Sequence, residues 1–102
     1  MAAMEDSFAK GHYPEAKLQL IHVEPQTRSW ESRDRAKYAL YRGLTCEALG
    51  DRGQAIYWLR RARSIEDELP GSLNPLDAKR LRMGLDTARE ISAPDGPSGE
   101  DG

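Results

Sequence analysis

Two histidines and one cysteine are the side chains of this sequence that most often do chemistry. His12 and His22 lie ten residues apart in different local structures, a spacing that does not place both imidazoles on one metal ion. Cys46 is the only cysteine. As a nucleophile it would need a neighbouring base, and its position on the inner face of a predicted helix favours a packed, apolar role. No glycine-rich phosphate loop or pair of catalytic acids occurs, so we expect no enzymatic activity, metal site or cofactor.

Arginines are the second group that could bind a ligand. One basic surface would form if the last two predicted helices pack together, and it would bind nucleic acid or an acidic segment of a partner protein. Its candidate residues are Arg60, Arg61, Arg63 and Arg82, with Lys79 and Arg80 beside them. Acidic residues are interspersed, which favours an ordinary solvated face. The net charge of −2 also argues against attraction to nucleic acid, and we expect none to bind.

Amphipathic helices are the elements that must position these residues. Hydrophobic residues make up 38% of the 102-residue chain and charged residues 31%, a balance that favours one small helical domain. No stretch approaches the roughly 18 consecutive apolar residues of a membrane span. Residues 1–10 lack the basic start and apolar centre of a signal peptide. We expect a cytoplasmic protein without membrane insertion.

A spacing of small and apolar residues occurs twice. Gly50-x4-Ala55-x3-Leu59-x2-Ala62 repeats Gly11-x4-Ala16-x3-Leu20-x2-Val23, and each of the four positions is displaced by 39 residues. Such self-similarity indicates a helical repeat array.

The pattern predicts five helices. They cover residues 2–10, 14–24, 30–49, 52–66 and 75–92. Residues 24–29 read as a turn and residues 67–73 as a loop, while the polar, glycine- and proline-rich residues 93–102 read as a disordered tail. Ser29 or Ser32 is the predicted cap of the third helix and Asn74 that of the fifth, and Gly50 is the predicted left-handed end of the third. Gly43, inside a helix, suggests close approach of a neighbour; drift at a tolerant site is the alternative.

The second unit resembles the tetratricopeptide repeat family. It supplies Gly43, Ala55, Leu59 and Ala62 at the family's positions, with the turn Leu49-Gly50-Asp51, and residues 11–16 (GHYPEA) look like the same turn in a first unit. The family's large residues are missing at Ala39, Arg42 and Cys46, and its proline at Asp67. Tyr38, Tyr41 or Trp30 would have to supply that bulk.

The resemblance implies an all-α domain over residues 1–92. Antiparallel helix-turn-helix units at about 1–25 and 30–66, with a capping helix at 75–92, would form a short right-handed solenoid. It also implies an adaptor or scaffold that binds a peptide or helix of another protein in a concave groove. Transferred to this sequence, the groove residues are Phe8, Lys37, Leu40, Leu44 and Glu47.

Two alternatives remain open. In the first alternative, Leu40 and Leu44 pack against the last helix and do not line a groove for a partner. Two units and a cap are fewer than the three repeats usually needed for stability, so the chain would also suit a self-associating homo-oligomer. The second alternative is therefore a small, self-associating assembly subunit or chaperone of a secretion or surface-appendage complex, by analogy with other short members of the family.

Overall fold

Five α-helices and a short 3-10 helix form the computed structural model, which describes residues 2–92. The α-helices are α1 (Ala2–Ala9), α2 (Tyr13–Val23), α3 (Ser32–Ala48), α4 (Arg52–Glu68) and α5 (Pro75–Ser92), and the 3-10 segment is Glu24–Ser29. Residues 2–92 contain no β-strand, which confirms the all-α class for this part of the chain. The predicted tail at 93–102 lies outside the described residues.

Glycine and asparagine end and begin the helices where the sequence predicts it. Gly11 and Gly50 follow α1 and α3 with φ angles of 78° and 85°, a conformation that side chains with a Cβ rarely adopt. Asn74 Oδ1 accepts the backbone N–H of Asp77 at 2.8 Å and caps α5. An unpredicted cap begins α4, because Asp51 Oδ1 accepts the N–H of Gln54 at 3.2 Å.

The start of α3 differs from the prediction. The helix begins at Ser32 instead of residue 30, and the cap position is Glu31, which makes no side-chain capping bond. Ser29 lies in the preceding 3-10 segment, where its hydroxyl donates to the carbonyl of Gln26. Neither predicted serine therefore caps α3. The predicted turn at 24–29 is this 3-10 segment.

The two copies of the spacing occupy similar places in successive helical hairpins. Ala16 and Ala55 are both fully buried, as are Leu20 and Leu59. Within the hairpins α1 packs against α2 and α3 against α4, while α2 also contacts α3 and α5 contacts both α3 and α4. Helix α3 is therefore the element around which the others pack.

The close approach predicted at Gly43 is confirmed. A Cβ added there would lie 2.7 Å from Leu59 Cγ and 3.0 Å from Leu59 N, both too short for non-bonded atoms. Gly84 on α5 has a milder version of the same constraint, because its added Cβ would lie 3.1 Å from Leu44 Cδ2. No close approach was predicted at Gly84 from the sequence.

Tyr38 and Tyr41 supply aromatic bulk on the buried side of α3. The ring of Tyr38 makes edge-to-face contacts with Trp30 and Trp58, and that of Tyr41 contacts Phe8 in the same way. The Tyr38 hydroxyl donates to the carbonyl of Leu20 at 2.8 Å. These buried rings connect α3 to both hairpins.

Candidate partner-binding groove

The predicted concave groove is largely filled by packing between helices. Leu40 is fully buried, and Leu44 is half-buried next to Gly84 of α5. Phe8 is half-buried against Tyr13 and Tyr41. Leu40 is therefore not accessible to a partner in this structure, and Leu44 fits the alternative in which it packs against the last helix.

The two charged residues of that predicted groove are also engaged or enclosed. Lys37 Nζ pairs with Glu5 Oε2 at 3.2 Å. Glu47 has a buried Oε2 without a hydrogen-bond partner among the described residues, and burial raises the pKa of its carboxyl. Lys37 is thus held by α1 and Glu47 is partly enclosed, and neither forms an open binding surface with the buried Leu40.

The four arginines predicted to form one basic surface are separated. Arg61 lines a groove beside α2 and α3, whereas Arg63 and Arg82 line a different one between α4 and α5. Arg60 is exposed and lines neither. In the α4–α5 groove the two arginines stand among three acids, and Arg63 Nε lies 3.8 Å from Asp67 Oδ2.

The groove that contains Arg61 combines several arginines with exposed apolar side chains. It runs between α2 with its 3-10 segment, α3 and α4, and has a volume of about 370 Å³. We call it the aromatic–arginine groove. It is defined by Ile21, Arg28, Arg35, Tyr57, Trp58 and Arg61.

Exposed apolar side chains border this groove. Ile21 is 41% exposed and Tyr57 55% exposed, while the neighbouring Trp58 is only 8% exposed. The rings of Tyr57 and Trp58 are perpendicular with their centroids 5.2 Å apart. Leu18 lies one turn before Ile21 on α2 and is also exposed. A partner would find apolar contacts on both the α2 and α4 sides.

The positive charge of the groove is not neutralised within the described residues. Arg28, Arg35 and Arg61 form no ion pair there, and Arg35 Nε is buried without a hydrogen-bond acceptor. Glu24 is the one carboxylate that lines the groove, and its Oε1 already lies 2.8 Å from Arg42 Nη1. The groove therefore has three guanidinium groups without an ion pair among the described residues, of which those of Arg28 and Arg61 are exposed and that of Arg35 is half-buried.

Arg42 organises the floor of the groove. Its Nη1 donates to Glu24 Oε1 at 2.8 Å and to the Tyr38 hydroxyl at 2.7 Å, and its guanidinium carbon lies 4.8 Å from the Trp58 ring centroid. Burial raises the pKa of Tyr38, although Arg42 acts in the opposite direction. The phenol thus remains a neutral donor and acceptor in this network, which joins α2, α3 and α4.

The residues first considered for chemistry do not come together. Burial raises the pKa of the Cys46 thiol, which disfavours the reactive thiolate, and His12 Nδ1 lies 3.3 Å from Glu15 at the start of α2. Residues 2–92 contain no cluster of three potential metal ligands. Within the same range, no helix combines the length and apolarity needed to cross a membrane.

Comparison of the chain with family models, with curated proteins and with solved structures finds no match. The proposals below therefore rest on the residues and geometry of this chain.

Arg28 and Arg35 were not predicted from the sequence as members of a site. A local signal was present on α4, where Tyr57 and Arg61 are four residues apart and so lie on one face. The partners on α2 and α3 are distant in sequence, and no pattern within one helix places them opposite Tyr57. Only the packing of the two hairpins brings these side chains to one groove.

Proposed function

We propose that this chain is a non-enzymatic protein-interaction module, an adaptor or scaffold that binds a segment of another protein in the aromatic–arginine groove. The observation that carries the proposal is the combination of exposed Tyr57 and Ile21 with three arginines that have no partner in the described chain. Tyrosine, tryptophan and arginine are enriched at the energetic centres of protein interfaces. A groove that joins them suits a polypeptide ligand.

A short solenoid similar to the tetratricopeptide repeat is the architecture we propose for this module. Support comes from two hairpins with glycine-ended first helices and buried alanines at equivalent positions. The fifth helix contacts α3 and α4, as the first helix of a further unit would. The proposed partner site differs from the groove implied by the family resemblance, because it lies between α2, α3 and α4.

Photo-crosslinking tests the module and its site together. A photo-reactive phenylalanine analogue is placed at Tyr57 in the full chain and, as a matched control, at Met83, which is similarly exposed on α5. In the native host, Tyr57 should give a discrete protein adduct that Met83 does not. The protein identified by mass spectrometry should then bind the purified chain in calorimetry, and Tyr57→Ser should weaken that binding.

Two results would overturn the proposal. One is a purified partner that binds the chain but crosslinks only from Met83. The other is the absence of any adduct from Tyr57 in a host that expresses a folded, photo-reactive variant.

A second candidate is self-association through the α4–α5 groove. Its floor contains Ala78, Leu81 and Leu85, and its rim carries residues of both signs, including Arg82 and Asp86. A two-fold interface requires such a self-complementary patch. Sedimentation should show a dimer that Leu85→Glu dissociates; a monomer at high concentration removes this candidate and leaves the first untouched.

A further inference from the structure

The aromatic–arginine groove has a charge that specifies its ligand further. Resting on the function proposed above, we propose that the partner segment is acidic, with carboxylates on either side of an apolar side chain. The carboxylates would pair with Arg28, Arg35 and Arg61, and the apolar side chain would lie between Ile21 and Tyr57.

The charge of the groove contrasts with that of the whole chain. The sequence carries a net charge of −2, whereas three arginines and one glutamate line the groove. Arg42 holds that glutamate at 2.8 Å, so its charge is already balanced. A local positive field in an otherwise acidic protein attracts a locally acidic segment and opposes a basic one.

Arg35 provides an observation that does not depend on the total charge. Its Nε–H is buried without an acceptor among the described residues, and a buried donor left unpaired costs free energy. A carboxylate can accept two parallel hydrogen bonds from one guanidinium. Because Nε is enclosed, a ligand carboxylate would pair with the terminal amino groups of this half-buried guanidinium, which forms no ion pair within residues 2–92.

The apolar border distinguishes an acidic peptide from a simple anion. Ile21 on α2 and Tyr57 on α4 both line the groove and are exposed, and a small anion would leave them in water. An apolar side chain of the ligand would cover both. A nucleic acid would also bring negative charge, but the acidic balance of the chain opposes its long phosphate backbone, and we therefore favour the peptide.

A pair of synthetic peptides tests the charge requirement. The probe is a fluorescein-labelled peptide in which glutamates flank a central leucine and phenylalanine; the control peptide has glutamine at every glutamate position. Fluorescence anisotropy with the full chain should show binding of the acidic peptide, weakened by salt, and at least about tenfold weaker binding of the neutral one.

Adjacent arginines on α4 supply the matched control variants. Arg61→Gln and Arg60→Gln remove the same charge from the same helix, but only Arg61 lines the groove. Exposed ion pairs contribute about 0.2–1 kcal/mol, so Arg61→Gln should weaken the acidic peptide by up to about fivefold. Arg35→Gln, which removes the half-buried guanidinium, should weaken it by about tenfold or more. Arg60→Gln should change affinity less than about twofold.

Each remaining outcome counts against the acidic-segment proposal. If the neutral peptide binds equally well and Tyr57→Ser weakens it, the groove binds proteins without charge selection, and only this inference fails. Failure of the acidic peptide to bind, or equal effects of Arg60→Gln and Arg61→Gln, also overturns the inference. Tighter, Arg61-dependent binding of single-stranded oligothymidylate would overturn both this inference and the proposed function.

Discussion

Replacing Gly43 by alanine tests the packing on which the fold depends. The new methyl group would lie 2.7 Å from Leu59 Cγ, 2.8 Å from Leu59 Cδ2 and 3.0 Å from Leu59 N. Ordinary carbon contacts are at about 3.5–4.0 Å. The leucine side chain can rotate away from such a contact, but its backbone nitrogen cannot, so α3 and α4 must move apart.

Two opposing free energies set the expected magnitude. Overpacking a core costs about 1–3 kcal/mol, and the involvement of the α4 backbone indicates the upper half of that range. Alanine is better than glycine in a helix by about 1 kcal/mol. We therefore expect Gly43→Ala to lower the free energy of unfolding by about 1–2 kcal/mol, or Tm by about 5–15 °C in a chain of this size.

Two further helical glycines separate sterics from helix propensity. An added Cβ at Gly53 meets nothing within 4 Å, so Gly53→Ala should stabilise the protein by about 0.5–1 kcal/mol. At Gly84 the nearest atom is the flexible Cδ2 of Leu44, at 3.1 Å, and Gly84→Ala should be nearly neutral. Thermal and urea unfolding followed by circular dichroism would rank the three variants.

The relative stabilities of the three glycine variants test whether the close approach of α3 and α4 constrains the fold. A Gly43→Ala protein as stable as Gly53→Ala would show that the close approach of α3 and α4 carries no energetic constraint. If the methyl group of Gly43→Ala does clash with Leu59, adding Leu59→Ala to that variant should relieve part of the clash. The double variant would then be at least about 1 kcal/mol more stable than the sum of the single effects predicts.

The remaining predictions concern charged side chains. Arg42→Met removes both hydrogen bonds of the buried guanidinium and should cost about 2–3 kcal/mol in urea unfolding, whereas Arg60→Met at an exposed position should cost almost nothing. Hydrogen bonds from backbone N–H groups lower the pKa of Glu66 below its ordinary 4.5. The stability that ionised Glu66 contributes is therefore complete above pH 4.5 and is lost as the pH falls through the folded pKa. This pH dependence should disappear in Glu66→Gln. Burial raises the pKa of Glu47, so its contribution to stability has the opposite pH dependence. Stability is lost as the pH rises from 4.5 through the raised pKa. Glu47→Gln should remove that loss, as measured by thermal unfolding at a series of pH values. An unchanged pH profile in either glutamine variant would contradict the corresponding assignment.

Local constraints explain which parts of the fold could be predicted from the sequence. Gly50 and Asn74 act through their own backbone and the next few residues, so their roles are visible without a tertiary structure. Gly43 was informative because a glycine inside a helix is unfavourable without a reason. The start of α3 was predicted less well, since Glu31 occupies the cap position without a side-chain bond.

The candidate site could not be predicted in the same way, because burial there depends on contacts between distant helices. Leu40 and Leu44 are one turn apart on α3, and their spacing alone does not say whether α5 covers them. In the structure Leu40 is fully buried and Leu44 lies beside Gly84. Conversely, Arg35 reads as an ordinary surface arginine in the sequence, whereas in the structure it lines the groove and its Nε is enclosed.

The connection between the two hairpins helps to form the proposed binding site. The spacing repeats after 39 residues, and the 3-10 segment Glu24–Ser29 lies between its two copies. That segment contributes Arg28 to the groove and is held through Glu24 by Arg42. Arg42 also lies against Trp58. One guanidinium therefore holds both the 3-10 segment on one side of the groove and the aromatic ring of Trp58. The 3-10 segment and Arg42 are thus physically linked, and together they favour the proposed binding surface.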